Sequence, residues 1–260
     1  MQKKVHYFLY MSQKYTTFAR KLKEMKAYKA IFLDWDDTIG DWTHAEHLAL
    51  QDIYQTYHID ELYDTIEEFF ATYKPYNLEL WSQYGQGTVT KEKLHFERFY
   101  YPLMVNQYPE FRGRKKEDLA REMGDEFLRL TNKYFSLLPD AKRVVQALAA
   151  KYPLTIISNG FKEVQYYKFE HSGLRDCFAH TIISEEVGIN KPQPQIFQIA
   201  LELNGISADE AVMVGDSYTS DIAGAKAAGI DQIWLHKSDD ITTGTATYII
   251  PALADLLTIL

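Results

Sequence analysis

A doubly wound α/β sheet carrying an inserted block of helices is the architecture the sequence predicts, and three observations lead to it. Short apolar segments alternate with amphipathic ones from Pro139 to the C-terminal part of the chain. One further apolar segment, AIFLD (30–34), stands about 120 residues ahead of the next of its kind, LTIIS (154–158). The chain between those two is almost wholly helical in pattern. Alternation of this type calls for parallel strands joined by right-handed helical crossovers. A helical block spanning 41–135 is too long for a loop and leaves directly after the first strand, so it reads as a second, inserted domain.

The elements follow in order. AIFLD is a short buried strand. Thr43 and Glu46 stand as a T-x-x-E capping box that opens an amphipathic helix to about Tyr57. Further helices are expected over 61–84, with Pro75 kinking or splitting it, and over 90–104 and 115–135. A helix over 140–151 precedes LTIIS. EVQYYKFEHSG is a helix ending at Gly173, and HTIIS, QIFQIALELNG, AVMVG, DIAGAKAAG and QIWLH continue the alternation. The expected organisation is a basic extension (1–28), the first core strand and its loop (29–40), the helical domain (41–135) and the rest of the α/β core (136–260).

Composition narrows the function classes. With 260 residues, 46% of them hydrophobic, the chain can bury a proper core. The formal net charge of −8 is uneven: residues 1–29 hold eight Lys or Arg against Glu24 alone. The start does not read as a signal peptide, because its apolar run VHYFLYM is short and is followed by more Lys and Arg. It reads instead as a loosely packed extension. The acidic body argues against a nucleic-acid polymer as partner. No apolar run approaches the ~18 residues that cross a bilayer, so no membrane partner is expected. A single cysteine, Cys177, excludes an internal disulfide framework and a cysteine-based zinc site. It suits a reducing compartment, and a cytoplasmic location is the expectation.

The chemistry-bearing residues sit where the predicted strands end. Asp34 and Asp36 follow the first strand at i and i+2. Ser158-Asn159-Gly160 closes the second. Lys191 stands before Pro192 ahead of a helix, and GDSYTSD puts Asp216 at a strand end and Asp221 at the start of a helix. In open α/β sheets, ligands bind outside the carboxyl ends of the strands. Acids crowded at such an edge repel one another and lose hydration, so a cation must compensate them. Hard oxygen ligands without His or Cys favour Mg²⁺ over zinc, and the lysine implies an anionic substrate.

The order DxDxT (Asp34, Asp36, Thr38), then Ser158-Asn159-Gly160, then Lys191-Pro192, then GDSxxxxD (Asp216 to Asp221) resembles the four motifs of the haloacid dehalogenase (HAD) superfamily. The resemblance covers residue 29 to the C-terminus. It implies a Rossmann-like core, with the insertion as that family's α-helical cap. It also implies roles. Asp34 would be the nucleophile that forms an aspartyl-phosphate. Asp36 would be the acid for the leaving alkoxide and then the base for water. Ser158 would bind the phosphoryl oxygens through its hydroxyl, and Asn159 through its backbone N–H. Lys191 would neutralise charge on nucleophile and phosphoryl group. Mg²⁺ would be held by Asp34, Asp216 and the backbone carbonyl of Asp36, with Asp221 orienting Lys191 or a metal-bound water. Asp37 is read as a polar turn residue, and Trp35 as packing.

Asp36 argues for phosphate-ester hydrolysis over dehalogenation, since only the former needs a proton for an alkoxide. The stretches SNGFKEVQYYKFEHSGLRDCF, SEEVGINKPQPQIF and KPYNLELW resemble the HAD subgroup of 5′-nucleotidases. The implied partner is a small phosphorylated substrate, a nucleoside monophosphate. Phosphoglycolate or a sugar phosphate is the alternative. A receiver-like signalling domain and a silent binding protein on the same scaffold are the readings from other classes, against which stand the large insertion and the complete motif set. Trp42 and Trp81 are candidates to stack a base.

Overall fold

The computed structural model describes residues 26–105, 108–236 and 245–260. The basic extension up to residue 25, and with it most of the expected loosely packed segment, lies outside the described residues. Among those described, Tyr28 is buried against the core and its hydroxyl donates to Asp231, so core packing starts ahead of the first strand.

Eight strands are described: β1 (Ala30–Leu33), β2 (Glu110–Phe111), β3 (Arg114–Lys115), β4 (Leu154–Ser158), β5 (His180–Ile183), β6 (Ala211–Gly215), β7 (Asp231–Leu235) and β8 (Tyr248–Ile250). Six of them form one sheet in the order β5-β4-β1-β6-β7-β8, every neighbouring pair parallel. β1 is central, pairing Phe32 with Thr155 on one side and with Met213 on the other. The chain winds outward from β1 in both directions, so the carboxyl end of β1 is the switch point at which ligands bind in such sheets.

Both faces of the sheet are covered, which is why these strands read as unbroken apolar runs. Ile31 and Leu33 point to the face packed by Val144, Val145 and Leu148 of the helix Ala141–Ala149. Ala30 and Phe32 point to the face packed by Phe197, Ala200 and Leu201 of the helix Pro194–Asn204. The edge strand β8 and the hairpin β2–β3 have no counterpart in the sequence reading, being two or three residues long.

Between β1 and β4 lies the helical insertion. Its helices are α1 (Trp42–Thr56), α2 (Ile66–Gly85), α3 (Lys91–Leu103) and α4 (Lys116–Lys133), packed around a core of their own that includes Phe69, Tyr73, Phe99 and Phe127. Three local expectations are corrected. The Thr43–Glu46 capping box does not form: Asp41 caps α1 by accepting from the His44 N–H, while Thr43 gives both its N–H and its hydroxyl to Asp37. The second helix starts at Ile66, where the Thr65 hydroxyl accepts from the Glu68 N–H. It is also not split at Pro75, because Phe69, Tyr73, Asn77 and Leu80 bury one face on both sides of the proline, outweighing the one backbone bond it removes. No described helix is long and apolar enough to cross a membrane.

The insertion is tied down onto the core by Lys91, whose ammonium meets Glu163 at 2.7 Å and Glu185 at 2.9 Å. Trp81 and Tyr84 of α2 pack on Phe161 of the core beside it.

Candidate active site

The loop after β1 is wound around one carbonyl. The N–H groups of Ile39 and Gly40 donate to the Trp35 oxygen at 2.8 and 2.9 Å, and the Asp34 N–H continues the sheet by donating to Val214. Side chains alternate along this extended segment, so Trp35 goes into the core while Asp34 and Asp36 face the opposite side. The Trp35 ring is fully buried against Phe169, with centroids 4.6 Å apart, which anchors the loop that carries both acids. Asp37 adopts a left-handed conformation (φ 57°) that Asp tolerates, and its carboxylate caps Thr43. That is the turn role expected of it.

Lys191 is the electrostatic centre. Its ammonium lies 2.6 Å from Asp34 and 2.7 Å from Asp221, and only 3% of the residue is exposed. Burial works against its charge, but Asp221 and Asp34 outweigh that and hold the ammonium well above its ordinary range. The backbone of Lys191 is clamped by the Asn159 amide, which donates to the Lys191 carbonyl and accepts from its N–H, both at 2.9 Å. The sequence reading gave Asn159 a backbone role only. Asp221 is wholly buried in a π-helical turn, Tyr218–Ile222, and accepts from the Ser217 N–H as well as from Lys191. Gly215 makes room for it, since a β-carbon there would collide with the Asp221 carboxylate.

Asp216 follows β6. The Thr38 hydroxyl accepts from its N–H at 3.1 Å and lies 3.3 Å from its carboxylate, a tie that the sequence reading left unassigned. Oxygens of Asp34, Asp216 and Asp221 lie within 4.8 Å of one another. Three carboxylates thus share one lysine, which leaves two negative charges uncompensated. The cost is visible in their protonation. Burial, reinforced by Asp221 and Asp37, pushes the Asp216 carboxyl up to about 7. Burial, opposed by Lys191 and reinforced by Asp221 and Asp216, pushes Asp34 well above the usual carboxylate range.

Asp36 belongs to a separate pair. Its carboxylate takes 2.5 Å and 2.7 Å contacts from Lys168 and Gln165, both buried on the helix Lys162–Ser172. Neither was singled out from the sequence, although i, i+3 spacing puts them on one helical face that also buries Val164, Phe169 and Ser172. The Lys168 ammonium also sits 4.5 Å from the centre of the Trp42 ring. Ser158 is buried at the end of β4, with its Oγ accepting from the Gly160 N–H.

Asp34, Asp36, Ser158, Asn159, Lys191 and Asp216 all line one cavity of about 290 Å³, roofed from the insertion by Trp42, Leu78, Trp81, Arg98 and Leu128. Asp221 lies behind it. Acids and a lysine at the switch point of a parallel sheet, beneath a helical lid, make a site suited to a hard cation and an anionic substrate. A family profile for haloacid dehalogenase-like hydrolases matches residues 28–229, and the chain belongs to that family. The chain is 30% identical over 213 residues to the HAD-hydrolase YfnB of Bacillus subtilis (strain 168), covering 82% of this chain and 86% of that protein. It is 31% identical over 207 residues to the pyrimidine 5′-nucleotidase YjjG of Escherichia coli (strain K12), covering 79% and 85%. It is 30% identical over 207 residues to a glyceraldehyde 3-phosphate phosphatase of Pyrococcus abyssi (strain GE5 / Orsay), covering 79% and 80%. A magnesium-bound crystal structure of B. subtilis YfnB superposes with a TM-score of 0.77 at 29% identity, covering 90% of this chain and 99% of that one.

Proposed function

We propose that the chain is a Mg²⁺-dependent phosphomonoesterase that works through an aspartyl-phosphate and acts on nucleoside 5′-monophosphates. One observation carries the reading: a single cavity joins a phosphoryl-sized cluster of Asp34, Asp36, Ser158 and Lys191 to an aromatic roof that includes Trp42 and Trp81. Asp34 attacks phosphorus while Lys191 neutralises the charge gathering on both groups. Ser158 donates its hydroxyl to a phosphoryl oxygen, since its lone pair already accepts from Gly160, and the Asn159 N–H binds a second oxygen. Asp36 gives a proton to the departing 5′-alkoxide and then takes one from the water that cleaves the aspartyl-phosphate, releasing inorganic phosphate. Asp221 positions Lys191.

The donor set suits a hard divalent cation, because two surplus negative charges sit on oxygens already gathered within 4.8 Å. Asp34 and Asp216 would hold it with the carbonyl of Asp36. When bound, Mg²⁺ supplies charge stabilisation at the phosphoryl oxygens.

A pH-dependent metal effect is therefore expected. The Asp216 carboxyl has its pKa pushed up to about 7 in the fold against an ordinary value near 4, so ionising it is disfavoured in the metal-free protein. The folded state then binds more protons than the unfolded one across roughly pH 4–7. Its stability falls as pH rises through that window and levels off above it. Mg²⁺ binds the ionised form, so its stabilising shift in Tm should be larger at pH 8 than at pH 5.5. Thermal melts with and without MgCl₂ at the two pH values check this, and an equal shift at both would remove the metal from this cluster.

The substrate is tested by comparing kcat/KM for nucleoside 5′-monophosphates, their 3′ isomers and glyceraldehyde 3-phosphate. The 5′-monophosphates should be preferred. Preference for glyceraldehyde 3-phosphate, in keeping with the P. abyssi relative, would keep the phosphatase and discard the nucleotidase.

A further inference from the structure

Arg98 is the least satisfied cation in the cavity wall. It lies on the buried face of α3, where Leu94, Phe99, Pro102 and Leu103 are apolar, and only 1% of the residue is exposed. Three aromatic rings hold its guanidinium: Phe127 at 5.3 Å, Phe161 at 5.8 Å and Trp81 at 5.9 Å from ring centre to Cζ. Its Nε and Nη2 are buried and make no hydrogen bond. The Tyr73 hydroxyl lies against the guanidinium and the Glu46 carboxylate feels its charge, but no contact to Nε or Nη2 has hydrogen-bond geometry. Buried guanidinium donors without acceptors are costly, and the same residue lines the cavity that holds Asp34 and Asp36.

We propose that Arg98 is a specificity-determining residue that donates to a ring carbonyl of the leaving group and so selects nucleotides whose base carries one. The inference rests on the nucleotidase reading above. Glu46 already stands within electrostatic reach of the guanidinium, so what Arg98 lacks is an acceptor atom rather than a countercharge. That favours a neutral carbonyl over a second phosphate or a carboxylate. The neighbouring rings of Trp81 and Phe161 favour a flat group beside the guanidinium. Uracil, cytosine and guanine each carry a ring carbonyl, whereas adenine carries none. A planar donor fork held between rings meets such an edge with fixed geometry, which a lysine cannot reproduce.

The test measures kcat/KM for UMP, AMP and phenyl phosphate, whose ring has no acceptor, with the wild-type chain, Arg98→Met and Arg98→Lys. Wild type should prefer UMP to AMP. Arg98→Met should lower the UMP to phenyl phosphate ratio roughly 10–100-fold, the range for losing a hydrogen bond from a charged group, and bring the UMP to AMP ratio towards one. Arg98→Lys should restore only part of both ratios, and it supplies the same comparison if Arg98→Met fails to fold. Equal losses on UMP and phenyl phosphate would make Arg98 a packing residue and overturn the proposal, as would an undiminished UMP preference in both variants. A wild-type chain that favours phenyl phosphate over both UMP and AMP would instead reject the nucleotidase reading, before any variant is compared.

Discussion

Replacing Asp34 with Asn should remove turnover, by on the order of 10⁴-fold or more, while leaving the metal-free protein at least as stable as wild type. The first effect follows from losing the proposed nucleophile, since a neutral amide does not attack phosphorus and the neighbouring carboxylates are already engaged. Asp221 is wholly buried and engaged with Lys191, Asp36 is held by Lys168 and Gln165, and Asp216 is tied to the Thr38 hydroxyl. The second effect follows from the charge count. Asp34 is buried beside two other carboxylates, and that burial pushes its carboxyl well above the usual range. An amide of the same shape removes one of the two surplus negative charges, while Lys191 keeps Asp221 at 2.7 Å. Catalytic groups held in disfavoured states commonly trade stability for activity in this way. Activity on UMP and a melt in EDTA check both halves. Substantial turnover in purified Asp34→Asn would end the covalent mechanism, and a large drop in metal-free Tm would show the carboxylate to be structural.

The site was legible in the sequence wherever a strand end dictates position. Asp34, Ser158 and Asp216 each sit at or directly after the last residue of a paired parallel strand, so recognising β1, β4 and β6 as strands was enough to bring them together. Lys191 needed the family pattern, because it stands on a connection that no local periodicity places. The residues that were missed share another property: they are polar side chains on helical faces that otherwise pack. Gln165 and Lys168 interrupt the buried face of one helix and Arg98 that of another. A cation at an apolar position is a readable signal, but the acceptor that justifies it lies far along the chain, 132 residues away for Lys168 and Asp36. The Thr43–Glu46 box failed for a related reason. The motif was present, but Asp37 and Asp41, brought close by the turn, competed for the same groups.

Lys168 changes what is expected of Asp36. The pair is 2.5 Å apart, the lysine is 2% exposed, and the Trp42 ring lies over its ammonium. Taking the carboxylate away strands a buried cation, so Asp36→Asn should lower Tm, with a stability loss below the ~3–5 kcal/mol of a fully buried pair because the Asp36 side chain is 27% exposed. Part of that should return in the double variant Asp36→Asn, Lys168→Met, where neither charge is left alone. Trp42 softens the penalty by keeping a ring beside the ammonium.

Asp36→Asn should also separate the two chemical steps by leaving group. A 5′-alkoxide is a poor leaving group that needs its proton from Asp36, so turnover of a nucleoside monophosphate should fall by about 10²–10⁴-fold. p-Nitrophenolate departs without that help, so Asp34 can still be phosphorylated from p-nitrophenyl phosphate. The second step then has no base to activate water, and the aspartyl-phosphate should accumulate. Rapid mixing of Asp36→Asn with p-nitrophenyl phosphate is therefore expected to give a burst of p-nitrophenol approaching one equivalent per chain, followed by slow turnover. Phosphate should appear only in the slow phase. The double variant with Lys168→Met should show the same burst, because the lysine is paired with Asp36 and makes no hydrogen bond to Asp34. A steady rate without a burst, on protein that still unfolds cooperatively above the assay temperature, would mean that Asp36 serves neither step as assigned and that another group moves the proton.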